Sequence, residues 1–230
     1  HVAVTWAADC HNHTFLTDQK HPNLQNVIIS NFTSYEALWG KIVEGFKSSS
    51  SNAAEWFLKA DDDTFVIHKN LMEMLAEFDP NKPLYIGLPL RYTFKDGRKV
   101  EYMSGGSGYV LSREALQRLQ DSSDSLCSVE RSLTAYEDVN MGVCMKKLGV
   151  RWVDPRDSLG RHRFLPYPPS LLMRKDLQTQ EKYIWLQNLS IYQFNFGLEN
   201  LSDRAVSFHE VRDPMEMYLL YYTTRHLHIA

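Results

Sequence analysis

The stretch EWFLKADDDTFVIHKNL, residues 55–71, sets three adjacent carboxylates between two apolar runs. Trp56–Ala60 has the short, aromatic-rich character of a buried strand. Asp61, Asp62 and Asp63 then repel one another, and such a cluster in a partly buried place needs a cation. In extended chain, residues two apart project to the same side, so Asp61 and Asp63 face one way and Asp62 the other. One side suits a divalent ion while the other hydrogen-bonds a ribose. Hard carboxylate oxygens select Mg²⁺ or Mn²⁺, ions that also bind diphosphate oxygens. A solvated turn capping the next helix is the plainer reading of an acidic triplet, and the flanking apolar runs tilt the balance toward the ion.

Outward from this stretch, strand-like runs alternate with helical patterns. Phe15–Leu16, Val27–Ser30, Leu84–Gly87 and Ala205–Phe208 join Trp56–Ala60 as expected buried strands. Tyr35, Leu38, Trp39, Ile42, Val43 and Phe46 form one helical face, with Thr33 and Glu36 spaced as a capping box, and the serines of 48–51 end it as a loop. Further helices are expected over Lys69–Phe78, from Ser112 onward, and over Ala135–Leu148. The last has Lys146 and Lys147 in its final turn, Gly149 as a left-handed cap and Val150 folding back. This order predicts an α/β domain with a mostly parallel sheet flanked by helices, whose strand ends are where ligands gather. Beyond Asp154 the pattern degrades into a proline-rich segment, and aromatics crowd Tyr183–Phe196.

Three further motifs bear on chemistry. YMSGGSGYVLSREAL, residues 102–116, carries Gly105, Gly106 and Gly108. These glycines let backbone approach a ligand closely, or form a tight turn before the helix at Ser112. Tyr102 and Tyr109 offer flat faces of the kind sugars stack against. The spacing is not that of a dinucleotide-binding fingerprint. AYEDVNMG, residues 135–142, places Glu137 and Asp138 at a helix start, where the dipole alone favours acids. If the triplet holds a metal-bound nucleotide-sugar, a separate carboxylate must deprotonate the attacking hydroxyl, and Asp138 is the candidate. AVSFHEV, residues 205–211, ends an apolar strand on His209, an imidazole that tilts a hard site from Ca²⁺ toward Mn²⁺. The other histidines, His11, His13, His21, His68 and His162 among them, lack ligand spacing and read as surface residues.

Composition narrows the classes. The chain has 230 residues, 43% hydrophobic and 23% charged, enough for one sizeable core. A net charge of −3 supplies no basic field for nucleic acid, and no apolar run is long enough to span a membrane. The sequons at Asn12, Asn31, Asn188 and Asn200 are compatible with a lumenal protein. In such a compartment Cys127 and Cys144 can pair, leaving Cys10 over; all three also read as small buried residues.

Taken together, HVAVTWAADC (1–10), EWFLKADDDTFVI (55–67), YMSGGSGYVLSREAL (102–116), EDVNMGVCMKKLGV (137–150), RDSLGRHRF (156–164), AVSFHEV (205–211) and MYLLYY (217–222) resemble the β1,3-glycosyltransferase family that includes the fringe proteins and the β1,3-galactosyltransferases. The stretches span nearly the whole chain in the family's order. The resemblance implies a single GT-A catalytic domain over residues 1–230, UDP-galactose as donor, Mn²⁺ (or Mg²⁺) as cofactor and inversion at the anomeric carbon. It implies a GalNAc-bearing glycoprotein as acceptor. Asp61, Asp63 and His209 are then the metal ligands; Asp61, Asp62, Gly105 and Gly106 contact the nucleotide-sugar; Asp138 is the base; Glu137, Tyr102, Trp185 and Tyr218 contact the acceptor. Family members are Golgi type II membrane proteins, often homodimeric, which places an anchor, a stem and a first strand, carrying the partner of Cys10, before His1. A non-catalytic, chaperone-like homologue, or a sibling with another donor or acceptor, is the competing expectation. The chain lacks the family's cysteines before the VSFH strand, has Glu210 where an aromatic commonly stands, and departs from the family over YPPSLLMRKD (167–176).

Overall fold

The computed structural model describes residues 1–50, 54–122, 126–127 and 132–226. In chain order the strands are β1 (Phe15–Thr17), β2 (Val27–Ile29), β3 (Trp56–Lys59), β4 (Phe65–Val66), β5 (Leu84–Gly87), β6 (Pro89–Thr93), β7 (Lys99–Met103), β8 (Tyr109–Ser112), β9 (Arg151–Trp152), β10 (Phe164–Leu165) and β11 (Ser207–Phe208). The helices are α1 (Leu38–Ser48), α2 (His68–Leu75), α3 (Arg113–Asp121), α4 (Glu137–Lys147), α5 (Pro169–Leu172), α6 (Glu181–Leu189) and α7 (Pro214–His226).

The protein is a mixed α/β structure, and the expectation of a mostly parallel sheet is corrected. The main sheet has the order β3-β8-β5-β9, with β8 antiparallel to both β3 and β5 and only β5–β9 parallel. The reason lies in the connections. A parallel return needs a crossover of a dozen or more residues, usually a helix. Here β5, the antiparallel β6–β7 hairpin and β8 follow one another with no helix between them, so β8 comes back antiparallel. A three-stranded sheet, β10-β11-β4, stands beside the main one. Sequence reading missed the hairpin and β8, because β6 and β7 interleave charged residues with apolar ones and β8 is only four residues long, between a glycine turn and a helix cap.

All four residues of β8 are buried, and their period of two splits the core. Val110 faces Phe65, Leu71, Ile86 and Phe164; Tyr109 and Leu111 face α1, α3 and α4 through Trp39, Val43, Leu116 and Met141. Each such apolar side chain contributes about 1.5–3 kcal/mol on burial. Among helix ends, Ser112 caps α3 as expected, accepting from the Ala115 N–H. At the entry to α1 the capping hydroxyl is Ser34, which accepts from the Ala37 N–H, rather than Thr33. Ser48 is the last residue of α1; Ser51 lies outside the described residues. Gly149 takes φ +67° and the Val150 N–H bonds the Met145 carbonyl, the helix stop read from the sequence.

Cys127 and Cys144 form a disulfide that ties the segment before α4 to its C-terminal half, and Cys10 is a half-buried free thiol. The aromatics of the later chain pack on one another: Tyr167, Tyr183, Phe194 and Phe196 have ring centroids 5.1–6.1 Å apart. His162 belongs to this region and corrects its surface assignment. It is buried and stacked on Phe194, and burial lowers its imidazole to about pKa 4. Asn12, Asn31 and Asn188 are exposed, whereas Asn200 is half-buried and donates its amide to the Phe196 carbonyl. No helix of the described residues is long and apolar enough to cross a membrane.

Candidate metal and acceptor site

The acidic triplet follows β3 in a turn closed by the Thr64 N–H on the Asp61 carbonyl. Thr64 locks this turn in place. Its hydroxyl accepts from the Asp61 N–H at 3.1 Å and donates to the Gly106 carbonyl at 2.8 Å, while its own carbonyl accepts from the Trp6 indole. The triplet is thereby fastened to the glycine turn between β7 and β8. Strand β11 delivers the imidazole: the His209 N–H bonds the Leu165 carbonyl, and the Val211 N–H bonds the Asp63 carbonyl at 2.9 Å.

His209 Nε2 stands 3.2 Å from Asp63 Oδ1 and 4.0 Å from Asp61 Oδ2. One ligand atom from each of these three residues lies within 4.8 Å of the others. Asp62 is exposed and stands outside the group. The His209 hydrogen bond holds the Asp63 carboxyl below its ordinary range; partial burial opposes this, and Arg212, 3.3 Å away, adds to it. Gly106 makes the approach of the imidazole possible, since a Cβ there would meet His209 Cε1 at 2.2 Å. The structure thus gives this glycine a steric task.

Behind the carboxylates lies a charged cluster that the sequence reading missed. Lys59, the last residue of β3, is buried, with its ammonium 2.6 Å from Asp61 Oδ1, 3.2 Å from Glu137 Oε1 and 3.1 Å from the Gly105 carbonyl. Burial alone would lower its pKa, but Glu137 and Asp61 outweigh it and raise it. Its signal was visible: a lysine inside an apolar strand, two residues before a row of aspartates.

Glu137 is 5% exposed and accepts from the Tyr109 hydroxyl at 3.2 Å. Burial pushes its carboxyl up to about 7, against the pull of Lys59. Beneath the glycine turn it braces Lys59, which removes it from the surface an acceptor would touch. Asp138, next to it, is half-buried. Its Oδ2 accepts from the Gly105 N–H at 3.0 Å and its Oδ1 from the Val139 N–H at 2.8 Å. Burial raises its pKa, opposed by the Gly105 hydrogen bond and by Lys59.

The remaining expected contacts divide. Tyr102 is 5% exposed and Tyr109 fully buried, so neither ring face is open to a sugar. For Tyr102 the cause is α4, which packs against β7 so closely that a Cβ on Gly142 would meet Tyr102 Cβ at 2.5 Å. Trp185 is exposed on α6 and hydrogen-bonds Tyr167, whose phenol feels the charge of Glu210 beside His209. Tyr218 on α7 pairs with His1, 3.1 Å away. Tyr35, expected on the inner face of α1, is instead 64% exposed. Its phenol is made harder to ionise by partial burial, then by the negative charge of Asp138. Tyr35 therefore lies within reach of the Asp138 and Asp61 charges, where no periodicity pointed.

This geometry has a recognisable ancestry. Residues 1–226 match the family model described as Fringe-like. Over 230 residues the chain is 34% identical to Glycoprotein-N-acetylgalactosamine 3-beta-galactosyltransferase 1 of Xenopus laevis, covering 99% of this chain and 62% of that protein. It is 31% identical over 194 residues to the Beta-1,3-glucosyltransferase of Mus musculus, covering 83% of this chain and 38% of the mouse protein. Over 112 residues it is 32% identical to the human N-acetyllactosaminide beta-1,3-N-acetylglucosaminyltransferase 4, covering 42% and 28%. The chain spans less than two thirds of the length of these relatives. With the match running almost from end to end, the chain belongs to the Fringe-like family.

Proposed function

We propose that residues 1–230 form the catalytic domain, of GT-A architecture, of an inverting β1,3-galactosyltransferase. It moves galactose from UDP-galactose to the 3-hydroxyl of GalNAc on Ser or Thr of glycoproteins. The observation that carries this reading is the convergence of Asp61, Asp63 and His209 beside Asp138. The near-full-length similarity to a galactosyltransferase named for that acceptor supports the choice of sugar and substrate.

Two carboxylates and one imidazole with donors this close fit a divalent cation, the imidazole favouring Mn²⁺ over Mg²⁺. Bound there, the ion would neutralise charge on the departing diphosphate. The chain's own residues do the rest. Lys59 fixes Asp61 from behind, and exposed Asp62 is available to a ribose. The Gly105 N–H orients Asp138, whose oxygens each keep a lone pair for the acceptor hydroxyl. Its raised pKa makes it a stronger base, so it takes the proton as the hydroxyl attacks the anomeric carbon in one displacement. Tyr35 and Trp185 supply exposed aromatic faces for the acceptor. The disulfide and the exposed sequons support a Golgi-lumenal setting, and the family resemblance supports a membrane-anchored full-length protein that can form a homodimer.

The test is UDP release from a panel of UDP-sugars, with and without Mn²⁺, on GalNAc-α-benzyl. Turnover is expected with UDP-galactose and Mn²⁺ together. Preference for another UDP-sugar would reassign the donor, and release without metal would remove the role of the Asp-Asp-His group.

A further inference from the structure

Away from this site, a groove of about 490 Å³ lies between α4, β7 and β9. Its charge is unlike that of the whole chain. Lys99, Lys146 and Arg151 line it and are exposed, in a protein of net charge −3. Its one carboxylate, Glu101, is already committed, accepting from the Trp152 indole at 2.8 Å and pairing with Arg91 at 3.2 Å. Among the described residues none of the three cations has a carboxylate within ion-pair distance. Among the described residues, the groove therefore presents positive charge that no ion pair neutralises.

Two features place this charge relative to the chemistry. Asp138, Gly142 and Lys146 follow one another at intervals of four along α4, so they share a helix face. From Asp138 to Lys146 the helix rises about 12 Å, the span of about four residues of extended chain. The groove wall formed by β9 is also the free edge of the main sheet. The Arg151 and Val153 N–H groups bond back toward β5 at 2.9 and 3.3 Å, so the alternation of a strand turns the Trp152 backbone to the unpaired side. An extended peptide can add to such an edge, which a free sugar or phosphate cannot do.

We propose that this groove binds an acidic stretch of the acceptor polypeptide, three to five residues from the glycosylated Ser or Thr. The assignment rests on the transferase reading above. It makes the enzyme selective among glycosylated sites by the charge of their flanks.

The test uses fluorescent glycopeptides, each with one GalNAc-Thr, whose flanks at three to five residues carry Glu, neutral residues or Lys. Affinity is read by anisotropy, and kcat and KM with UDP-galactose. The Glu peptide is expected to bind about tenfold tighter than the neutral one, the sum of a few exposed ion pairs, and to gain through KM. In the triple variant Lys99→Gln/Lys146→Gln/Arg151→Gln the ratio should fall to one, with GalNAc-α-benzyl turnover unchanged. Lys146→Glu alone should shift preference toward the Lys peptide. Equal affinities in the unaltered protein, or a ratio that survives the triple variant, would overturn the proposal. So would a sulfated oligosaccharide or an anionic vesicle that binds through the three cations while the peptides are not distinguished. Charge preference without turnover on any donor would instead refute the transferase reading and leave a peptide-binding groove.

Discussion

Gly106→Ala tests the proposed metal site with a single methyl group. A Cβ at this position would lie 2.2 Å from Cε1, 2.4 Å from Nδ1 and 2.6 Å from Nε2 of His209. Carbon atoms rest at about 3.5 Å or more, so the ring must retreat by roughly 1.3 Å. Metal–ligand distances tolerate about 0.2 Å, and the imidazole is lost as a ligand. A loss of ~10²-fold in Mn²⁺ affinity, about 2.7 kcal/mol, is expected. The fold should survive. Gly106 is not among the glycines with positive φ, and the three nearest atoms in the way belong to one partly buried side chain, that of His209. The assay is calorimetric titration of Mn²⁺ in the presence of UDP, beside thermal melts of the single variants Gly106→Ala and His209→Ala and of their double variant. Because both changes remove the same imidazole, the double variant should be no weaker than His209→Ala alone. A folded Gly106→Ala protein with unaltered affinity, or losses that simply add, would refute the steric argument and the placing of His209 in the site.

Asp138→Asn should lower kcat at least ~10²-fold with UDP and Mn²⁺ binding nearly unchanged, and an unimpaired Asn variant would remove the base assignment. Lys59→Met strips the buried cation from Glu137 and Asp61 and should cost about 3–5 kcal/mol in urea unfolding. Adding Glu137→Gln should return part of that loss, and full stability in the single variant would show that the cluster is not load-sharing. His162 sets an acid limit on stability. Its folded pKa of about 4 lies below the unfolded value of about 6.5, so the unfolded chain binds the extra proton between them. Stability is therefore whole above that upper value and falls as pH drops toward the lower one, by up to about 3 kcal/mol. His162→Phe keeps a ring on Phe194 and should flatten the slope in urea titrations at pH 7.5 and 4.5; an unchanged slope would place the acid sensitivity elsewhere.

What could be read from the residue order and what could not divide by the range of the interaction. The cap at Gly149 and the inward face of α3 depend on neighbours a few positions away, and the structure shows them as read; on α1 the face from Trp39 to Phe46 is inward but Tyr35 is not, and Asp61 and Asp63 meet through a turn rather than through extended-chain alternation. The antiparallel entry of β8 depends on a hairpin whose polar content hides its period. The burial of Tyr102 depends on how closely α4 descends on β7, which Gly142 decides from another element, and that of Tyr109 on the packing of α1, α3 and α4 against β8. Lys59 and Glu137 show the same limit from the electrostatic side. Each alone reads as a residue that belongs in water, and only the pair, brought together by β3 and the start of α4, makes burial affordable. The glycine turn joins these cases. Gly105 gives its N–H to Asp138 and its carbonyl to Lys59, while Gly106 clears space for His209 and accepts from Thr64. Two residues without side chains thus hold Asp138, the buried cation, the acidic turn and the imidazole in register. Glycine's freedom explains why the turn forms; which groups it must accommodate is set by strands and helices far along the chain, and only the fold reveals them.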